Sequence, residues 1–323
     1  MRTRKIKKIL FITLSNLGDI ILTTPVLEKL CDEFSEADID VITGLSGQEV
    51  FDAHPKVNEV MVRNRRMGLF GRMREVVNLT KRRYDLVVDL KGSLLPYMIG
   101  AKYRSKLFVS TCGVRHKKDE HLTRISHLSK DVLTSTRFFV PAGVPENSYI
   151  KKIIADGKDK KMVIINPGAR SHLKRWGAEK YAKLSDRLIS ELKTDVYITG
   201  DKDDRETIDL MLGACIRKDL TNLCGKTNVI MLIQLMKQAS LVITNDSAPL
   251  HIASSVNVPT VAIFGPSNEK KYGPLSEKKI VISPKVPCRP CEKALCGEGP
   301  DEGCLSRVKV DEVFRAAKKL LSL

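Results

Sequence analysis

The stretch from residue 241 to residue 265, LVITNDSAPLHIASSVNVPTVAIFG, carries residues suited to binding a phosphate group. Two short apolar runs in it predict buried strands, and a polar turn between them leads into a helical pattern. Asp246 or Ser247 suits the helix N-cap, and Pro249 suits the first turn, where its missing N–H has no intrahelical partner. Unpaired N–H groups and the helix dipole at such a sheet edge favour an anion. An ordinary strand-to-helix turn with a capping carboxylate is the alternative.

Asp19 is a candidate general base. It follows the strand predicted over residues 5–15 and lies next to Gly18 in the first strand-to-helix turn. A carboxylate at that edge of a sheet is suited to take a proton from a hydroxyl group. The alternative role is a helix N-cap, which Asp commonly fills in such turns.

A cluster of basic side chains follows the strand predicted over residues 162–166. Behind an Asn-Pro-Gly turn come Arg170, His172, Lys174 and Arg175, and then Trp176, the single tryptophan of the chain. Clustered cations at a strand end predict a clamp for a diphosphate, and Trp176 is expected to anchor the loop by apolar packing. A solvated basic loop is the alternative.

The next predicted strand, over residues 195–199, ends at Gly200 and is followed by several carboxylates. Asp204 is placed to accept hydrogen bonds from ribose hydroxyls, although helix capping explains it equally well. The sequence has neither a Gly-x-Gly-x-x-Gly after its first strand nor a P-loop Gly-Lys-Ser/Thr. These absences argue against a dinucleotide-dependent oxidoreductase and against an ATPase.

Four of the eight cysteines fall in one Pro- and Gly-rich loop, at Cys288, Cys291, Cys296 and Cys304. In a reducing compartment four thiolates indicate a structural metal, zinc by default. The spacing is shorter than in usual zinc ribbons, so free thiols remain an equal alternative and an iron–sulfur cluster a remote one. The other four cysteines are interpreted as buried packing residues: Cys31, Cys112, Cys215 and Cys224.

Strand and helix patterns alternate along the chain, which predicts an α/β fold with parallel, doubly wound sheets. Predicted strands after the first cover residues 39–43, 57–62, 84–90, 106–110, 162–166, 195–199, 241–244, 260–264 and 279–282. Predicted helices cover residues 68–83, 94–104, 121–133, 178–192, 203–215, 229–238 and 310–321. A Pro- and Gly-containing break at residues 141–145 predicts two domains, 1–145 and 146–323, with the site in the cleft between them.

The charge of the chain is strongly positive and uneven. Its 323 residues carry 55 Lys and Arg against 38 Asp and Glu, a formal net charge of +17. Residues 61–118 hold fifteen Lys and Arg against three acids, so this segment has a formal net charge of +12. Such a field attracts nucleic acid, an anionic membrane face or a phosphorylated substrate. No apolar run is long enough to span a membrane and no export signal is evident, so a cytoplasmic location is expected.

Four motifs in order make the chain resemble the heptosyltransferases of lipopolysaccharide core synthesis, glycosyltransferase family 9 with the GT-B fold. The motifs are NLGDIILTTPVL at residues 16–27, YDLVVDLKGS at 84–93, NPG with KRW within 166–176, and NDSAPLH with FGPS within 245–267. The resemblance covers nearly the whole chain. It implies two Rossmann-like domains facing a central cleft, with the acceptor bound by the amino-terminal half and ADP-heptose by the carboxyl-terminal half.

The resemblance also implies roles for individual residues. Asp19 matches the catalytic base, Lys174 the lysine that contacts the phosphates, and Asp246 a contact to the donor sugar. Further implied contacts to the nucleotide sugar are Arg170, Arg175, Asp204, Ser247, Ala248 and His251, and the acceptor side includes Gly18, Lys91 and Gly92. The family often has Gly where Ala248 stands. The implied reaction is inverting transfer of heptose to an inner-core acceptor on lipid A, with no metal required for catalysis.

The implied partners are ADP-heptose, an anionic lipopolysaccharide acceptor and the inner face of the inner membrane. Two alternatives remain open. A GT-B enzyme that uses another nucleotide sugar fits the same motifs, since donor choice depends on few contacts. A nucleic-acid-binding protein fits the basic segment less well, because only 5% of the residues are aromatic and they do not alternate with the cations.

Overall fold

The computed structural model describes residues 6–63, 68–109, 115–128, 137–141, 147–156, 160–296 and 303–322. The chain divides into two compact units, Met1–Ala142 and Gly143–Leu323. The domain boundary predicted at residues 145 and 146 falls on residues 142–146, and Cys112 falls on residues 110–114; both lie outside the described residues.

Unit 1 is built around one parallel sheet. Its strands are β1 (Lys8–Ile12), β2 (Asp38–Thr43), β3 (Val57–Val62), β4 (Leu86–Asp89) and β5 (Tyr103–Arg104). Its helices are α1 (Leu17–Glu33), α2 (Gln48–Asp52), α3 (Leu69–Lys81), α4 (Leu95–Met98) and α5 (Lys117–Thr123). The strand order is β3-β2-β1-β4-β5, with every neighbouring pair parallel. Successive residues of β1 point to opposite core clusters, so apolar layers cover both faces of the sheet.

Unit 2 repeats this plan with a larger sheet. Its strands are β6 (Met162–Asn166), β7 (Asp195–Ile198), β8 (Thr221–Asn222), β9 (Leu241–Asn245), β10 (Thr260–Ile263) and β11 (Lys279–Ile282). Its helices are α6 (Ser148–Asp156), α7 (Ala178–Leu192), α8 (Arg205–Ala214), α9 (Val229–Gln238), α10 (Ala248–Ser255), α11 (Glu269–Tyr272) and α12 (Val310–Leu320). The parallel strands follow the order β11-β10-β9-β6-β7-β8. The terminal helix α12 packs on this unit, with Val313 and Ala317 in its core.

The predicted fold class is confirmed. For several elements the predicted bounds are the same as the observed ones: residues 57–62, 162–166, 178–192, 229–238 and 279–282. Among the described residues, no helix has the length and apolarity needed to cross a bilayer.

The prediction of a strand over residues 106–110 is wrong for residues 106–109, which are the part that the structure describes. The backbone N–H of Lys106 donates to the carbonyl of Arg124, and the Arg124 guanidinium donates to the carbonyls of Lys106 and Leu107. Because these groups bond to Arg124 and its loop, they are not available to a neighbouring strand. The edge position is taken by β5, which pairs with β4.

Two predicted helices of unit 1 are shorter or displaced. The helix predicted over residues 94–104 is reduced to α4, since Gly100 at φ +68° turns the chain into the left-handed region soon after it. The helix predicted over residues 121–133 is α5, which begins earlier because His116 caps it by accepting a hydrogen bond from the N–H of Lys118. Residues 129–133 lie outside the described residues.

Helix α1 continues through a proline because a neighbouring side chain replaces the missing donor. Pro25 has no N–H to give to the carbonyl of Ile21, and the hydroxyl of Thr24 donates to that carbonyl instead, at 2.8 Å. Thr24 Oγ1 also accepts a hydrogen bond from the N–H of Phe139, at 3.2 Å. The helix that carries Asp19 is thereby kept regular and tied to a later segment of unit 1.

Candidate active site

The end of β9 is fixed by a single buried amide. Asn245 Oδ1 accepts hydrogen bonds from the N–H of Trp176 at 3.2 Å and from the hydroxyl of Tyr181 at 2.9 Å. Its Nδ2 donates to the carbonyls of Pro167 and Gly168, at 2.8 and 3.3 Å. The side chain is fully buried. One residue therefore connects the turn after β9 with the turn after β6 and with the start of α7.

Asp246 and Lys174 form an ion pair beside this amide. Lys174 Nζ lies 2.6 Å from Asp246 Oδ2, and it also lies 6.0 Å from the centre of the Tyr272 ring. The Asp246 side chain is 5% exposed, whereas that of Lys174 is 33% exposed. The ammonium group thus neutralises a buried carboxylate and keeps part of its own surface open.

The residues after Asp246 begin helix α10, as the sequence predicts. Ser247 is the N-cap, Ala248 is the first helical residue and Pro249 lies in the first turn. His251, one turn into the helix, is buried. Pro249 has no N–H and the N–H of Leu250 donates to the carbonyl of Ser247, so the start of α10 leaves the N–H groups of Ser247 and Ala248 for an anion at the carboxyl edge of the sheet.

The basic loop is held by packing at its end and by a glycine beside it. His172–Lys174 form one turn of 3₁₀ helix. Trp176 is buried as predicted, and its indole N–H donates to the carbonyl of Val308 at 3.1 Å. A Cβ at Gly265, after β10, would lie 2.8 Å from the carbonyl of Leu173, so this close approach requires glycine.

The remaining cations of the loop have different surroundings. Arg175 Nε donates to the carbonyl of Ala169 at 2.8 Å, which closes the loop on itself. Arg170 and His172 are exposed. Of the four basic side chains, the structure therefore brings only Lys174 into contact with Asp246.

Asp204 takes part in helix capping, one of the two roles that its sequence position allows. Its carboxylate accepts a hydrogen bond from the N–H of Asp201, and the Asp201 carboxylate accepts from the N–H groups of Asp203 and Asp204. A Cβ at Gly168 would lie 2.2 Å from the Asp204 carboxylate, so the carboxylate lies directly on the turn after β6. Burial raises the pKa of Asp204 and the charge of Asp201 raises it further, while Arg175 opposes the shift.

On unit 1, Asp19 is the third residue of α1 rather than its cap. The N-cap is Asn16, whose side-chain amide donates to Asp19 Oδ2 at 3.1 Å. The turn is compact because Gly44, after β2, approaches the backbone of Ser15; a Cβ there would lie 3.0 Å from Ser15 Cα. The alternative that Asp19 caps the helix is therefore wrong, and its half-buried carboxylate lies beside Gly18 at the sheet edge.

Lys91 and Gly92 lie at the same edge, because β4 is the neighbour of β1. The buried Asp89 carboxylate accepts hydrogen bonds from the N–H of Lys91 and from the N–H and hydroxyl of Ser93, at 2.8, 2.8 and 2.5 Å. Gly92 has φ +70°, which favours glycine. The turn is thus shaped by a carboxylate inside it.

The beginning of the four-cysteine loop, at Arg289, lies against the turn after β10. The Arg289 guanidinium donates to the carbonyls of Gly265, Pro284 and Ser267 and to the Glu269 carboxylate. Burial raises the pKa of Cys304, Arg289 opposes this, and the nearby thiols at positions 288, 291 and 296 raise it further. The four thiols belong to one segment of the sequence. Within the described residues, however, no three His, Cys, Asp or Glu side chains are arranged as a metal-ion site.

Sequence reasoning missed three of the residues that position the turns of the two units. Asn245 and Asp89 each end a central strand, and each lies in one of the four motifs that carry the family resemblance. A polar residue at the end of an apolar run is the signal that could have identified them. Arg289 has no such signal, because three of its four acceptors, on Gly265, Ser267 and Glu269, are distant in the sequence.

Comparison with known proteins identifies the class. The sequence profile described as "Glycosyltransferase family 9 (heptosyltransferase)" matches residues 72–301, and the chain belongs to this family of glycosyltransferases. It is similar to "Lipopolysaccharide heptosyltransferase 3" of Escherichia coli K12, with 28% identity over 81% of this chain and 84% of the relative. It is also similar to "Lipooligosaccharide heptosyltransferase 2" of Campylobacter jejuni, with 24% identity over 94% and 95% of the two chains.

A solved structure shares the fold over the same extent. The E. coli ADP-heptose lipopolysaccharide heptosyltransferase II superposes with a TM-score of 0.78 at 24% sequence identity, covering 98% of both chains. The GT-B fold class predicted for this chain agrees with that similarity.

We predict that Asn245→Ala destabilises the protein strongly. The substitution leaves two donors and two carbonyls without their buried partner, and the free energy of unfolding is expected to fall by roughly 3–5 kcal/mol. Urea denaturation of the full chain measures this. Tyr181→Phe, which removes one of the four bonds, is the matched variant and should cost about 1 kcal/mol. Equal losses in the two variants would contradict the central role of Asn245.

Proposed function

We propose that the protein transfers heptose from ADP-heptose to the inner core of lipopolysaccharide, on a Kdo or heptose acceptor attached to lipid A. The observation that carries this proposal is the Lys174–Asp246 pair beside the N-terminus of α10, in a chain of glycosyltransferase family 9. A cation and free N–H groups suit a diphosphate, and an adjacent carboxylate suits the hydroxyls of a sugar. The names of the similar enzymes support heptose and lipopolysaccharide as the substrates.

In this proposal Asp19 is the general base. It accepts the proton of the acceptor hydroxyl as that oxygen forms a bond to the anomeric carbon of the donor. The bond from this carbon to the ADP oxygen breaks, and the electron pair leaves with ADP. Attack from the face opposite ADP inverts the anomeric configuration. Asn16, which donates to Asp19, orients the carboxylate.

The leaving diphosphate is stabilised by fixed charges and dipoles. Lys174 and the N–H groups at Ser247 and Ala248 are oriented before the donor binds, so they need little rearrangement as charge develops. Arg170 and Arg175 add positive charge to the loop. Asp204 receives the ribose, Asp246 and His251 contribute to the donor pocket, and Gly18, Lys91 and Gly92 form the acceptor side.

We also propose that the enzyme works from the cytoplasm, as a peripheral protein at the inner face of the inner membrane. The +12 charge of residues 61–118 supports this, because both the acceptor and the membrane surface are anionic.

We expect Asp19→Asn to lower kcat by about 10²- to 10⁴-fold, because the amide cannot accept the proton. The assay measures ADP release from ADP-heptose with heptose-deficient lipopolysaccharide, alongside the donor affinity measured by calorimetry. Donor affinity should be retained. Asp52→Asn, an exposed carboxylate of the same unit, is the control and should behave as wild type. Wild-type turnover by Asp19→Asn would remove Asp19 from the mechanism. If the wild-type protein neither binds nor uses ADP-heptose, the donor is another nucleotide sugar.

Lys174→Met should reduce kcat/KM by about 10²- to 10³-fold, the loss that accompanies removal of one preorganised charge-stabilising group. Affinity for ADP itself should fall as well, since the ammonium contacts the diphosphate and Asp246 is left as an uncompensated negative charge. Lys183→Met, at an exposed position of α7, is the matched control. Unchanged affinity for ADP in Lys174→Met would place the diphosphate elsewhere.

For the cysteine loop we propose a structural zinc ion held by Cys288, Cys291, Cys296 and Cys304, with no part in the transfer reaction. Four thiols in one loop are a donor set that zinc prefers, and the ion would have to draw them into its coordination sphere. Purified protein should contain one zinc per chain by elemental analysis. Cys291→Ser should lower that content and Cys31→Ala, outside the loop, should not. Zinc-free wild-type protein prepared in zinc-containing medium would refute the proposal.

A further inference from the structure

Helix α3 exposes an apolar face. Leu69, Phe70, Met73 and Val77 are 74%, 88%, 59% and 52% exposed. At 100° per residue these four side chains fall within one 100°-wide sector of the helix, whereas the buried Leu79 lies on another side. The helix is therefore anchored to unit 1 by one face and presents a second apolar face outwards.

Cations border this exposed face. Arg74 and Lys81 follow it directly around the helix, and Arg72 lies on the other side. The single acid of α3, Glu75, is half-buried and ion-paired with Arg63 at 2.7 Å. The charge that α3 presents around its apolar face is therefore positive.

The short helix α4 extends the surface. It contacts α3, and the side chains of Leu94, Tyr97 and Met98 on and beside it are largely exposed. The guanidinium of Arg104 lies 4.3 Å from the centre of the Tyr97 ring. The exposed surface of α4 thus resembles that of α3. Both helices present apolar side chains that include an aromatic ring, with cations beside them.

We propose that α3 and α4 form the membrane-docking surface of this protein, with the exposed apolar side chains inserted into the interface of an anionic phospholipid bilayer. An amphipathic helix with large apolar side chains and flanking Lys and Arg binds that interface by apolar burial together with electrostatic attraction. Charge complementarity selects an anionic lipid surface as the occupant. The inference rests on the proposed function for its purpose, which is to place unit 1 at the surface that displays a lipid-linked acceptor.

Vesicle co-sedimentation of the full chain tests the proposal in the absence of any sugar nucleotide. The wild-type protein should bind vesicles of phosphatidylethanolamine and phosphatidylglycerol and should not bind vesicles of phosphatidylcholine alone. Phe70→Ser combined with Met73→Ser should weaken binding by roughly tenfold or more, because two large apolar side chains no longer insert. Arg74→Gln combined with Lys81→Gln should weaken it by roughly fivefold per cation removed.

Leu210→Ser combined with Ile216→Ser is the matched control, since both side chains are exposed apolar residues of unit 2. This variant should bind vesicles as wild type does. Absence of wild-type binding, or equal loss in the control, overturns the proposal. So does wild-type self-association that Phe70→Ser abolishes, since the face would then bind a second copy. Vesicle binding without turnover of ADP-heptose would overturn the proposed function while leaving the docking surface in place.

Discussion

The candidate site of unit 2 depends on the hydrogen bonds of one buried amide. Asn245 has two acceptor sites and two donor hydrogens on its side chain, and the surrounding backbone and Tyr181 occupy all four. A carboxylate at position 245 would lack both donor hydrogens, and an apolar side chain there would leave four buried polar groups unpaired. Since Asp246 is the next residue, the same bonds fix where its carboxylate points. The position of Lys174 follows from this, because the lysine must reach that carboxylate.

The sheet edge of unit 1 that carries Lys91 and Gly92 is fixed in the same way by a different side chain. Asp89 ends β4 as Asn245 ends β9, and its carboxylate folds the following turn around itself through hydrogen bonds to Lys91 and Ser93. In both units a polar residue at the end of a central strand fixes the loop that carries the functional groups. Loops at a sheet edge otherwise have few partners, so such internal bonds limit the number of conformations that they adopt.

Much of the fold was predictable because hydrophobic periodicity is local. Both parallel sheets and the bounds of several strands and helices followed from apolar runs and turn residues, and so did the placement of Asp246 at the start of α10. The failures have non-local causes. Residues 106–109 resemble a strand, but backbone groups of Lys106 and Leu107 bond to Arg124, and the separation in the sequence hides that contact. The sequence likewise does not predict the contact between Asp246 and Lys174, although the family resemblance implies a role for each residue. The sequence leaves open whether Asp19 caps its helix, because the first helical residue does not follow from the local pattern; the N-cap is Asn16.

The ion pair also explains how the Asp246 carboxylate is compatible with the proposed diphosphate site. A buried Asp246 alone would repel the phosphates and would be costly to keep charged. Lys174 removes the repulsion, and because an ammonium group has three donor hydrogens, it can hold Asp246 and still donate to a phosphate oxygen. The pair is electrically neutral as a unit, so net attraction for the diphosphate must come from Arg170, Arg175 and the N-terminus of α10. In the proposed site Lys174 orients the Asp246 carboxylate and neutralises its charge. The surrounding cations and N–H groups attract the diphosphate, and the carboxylate binds the sugar.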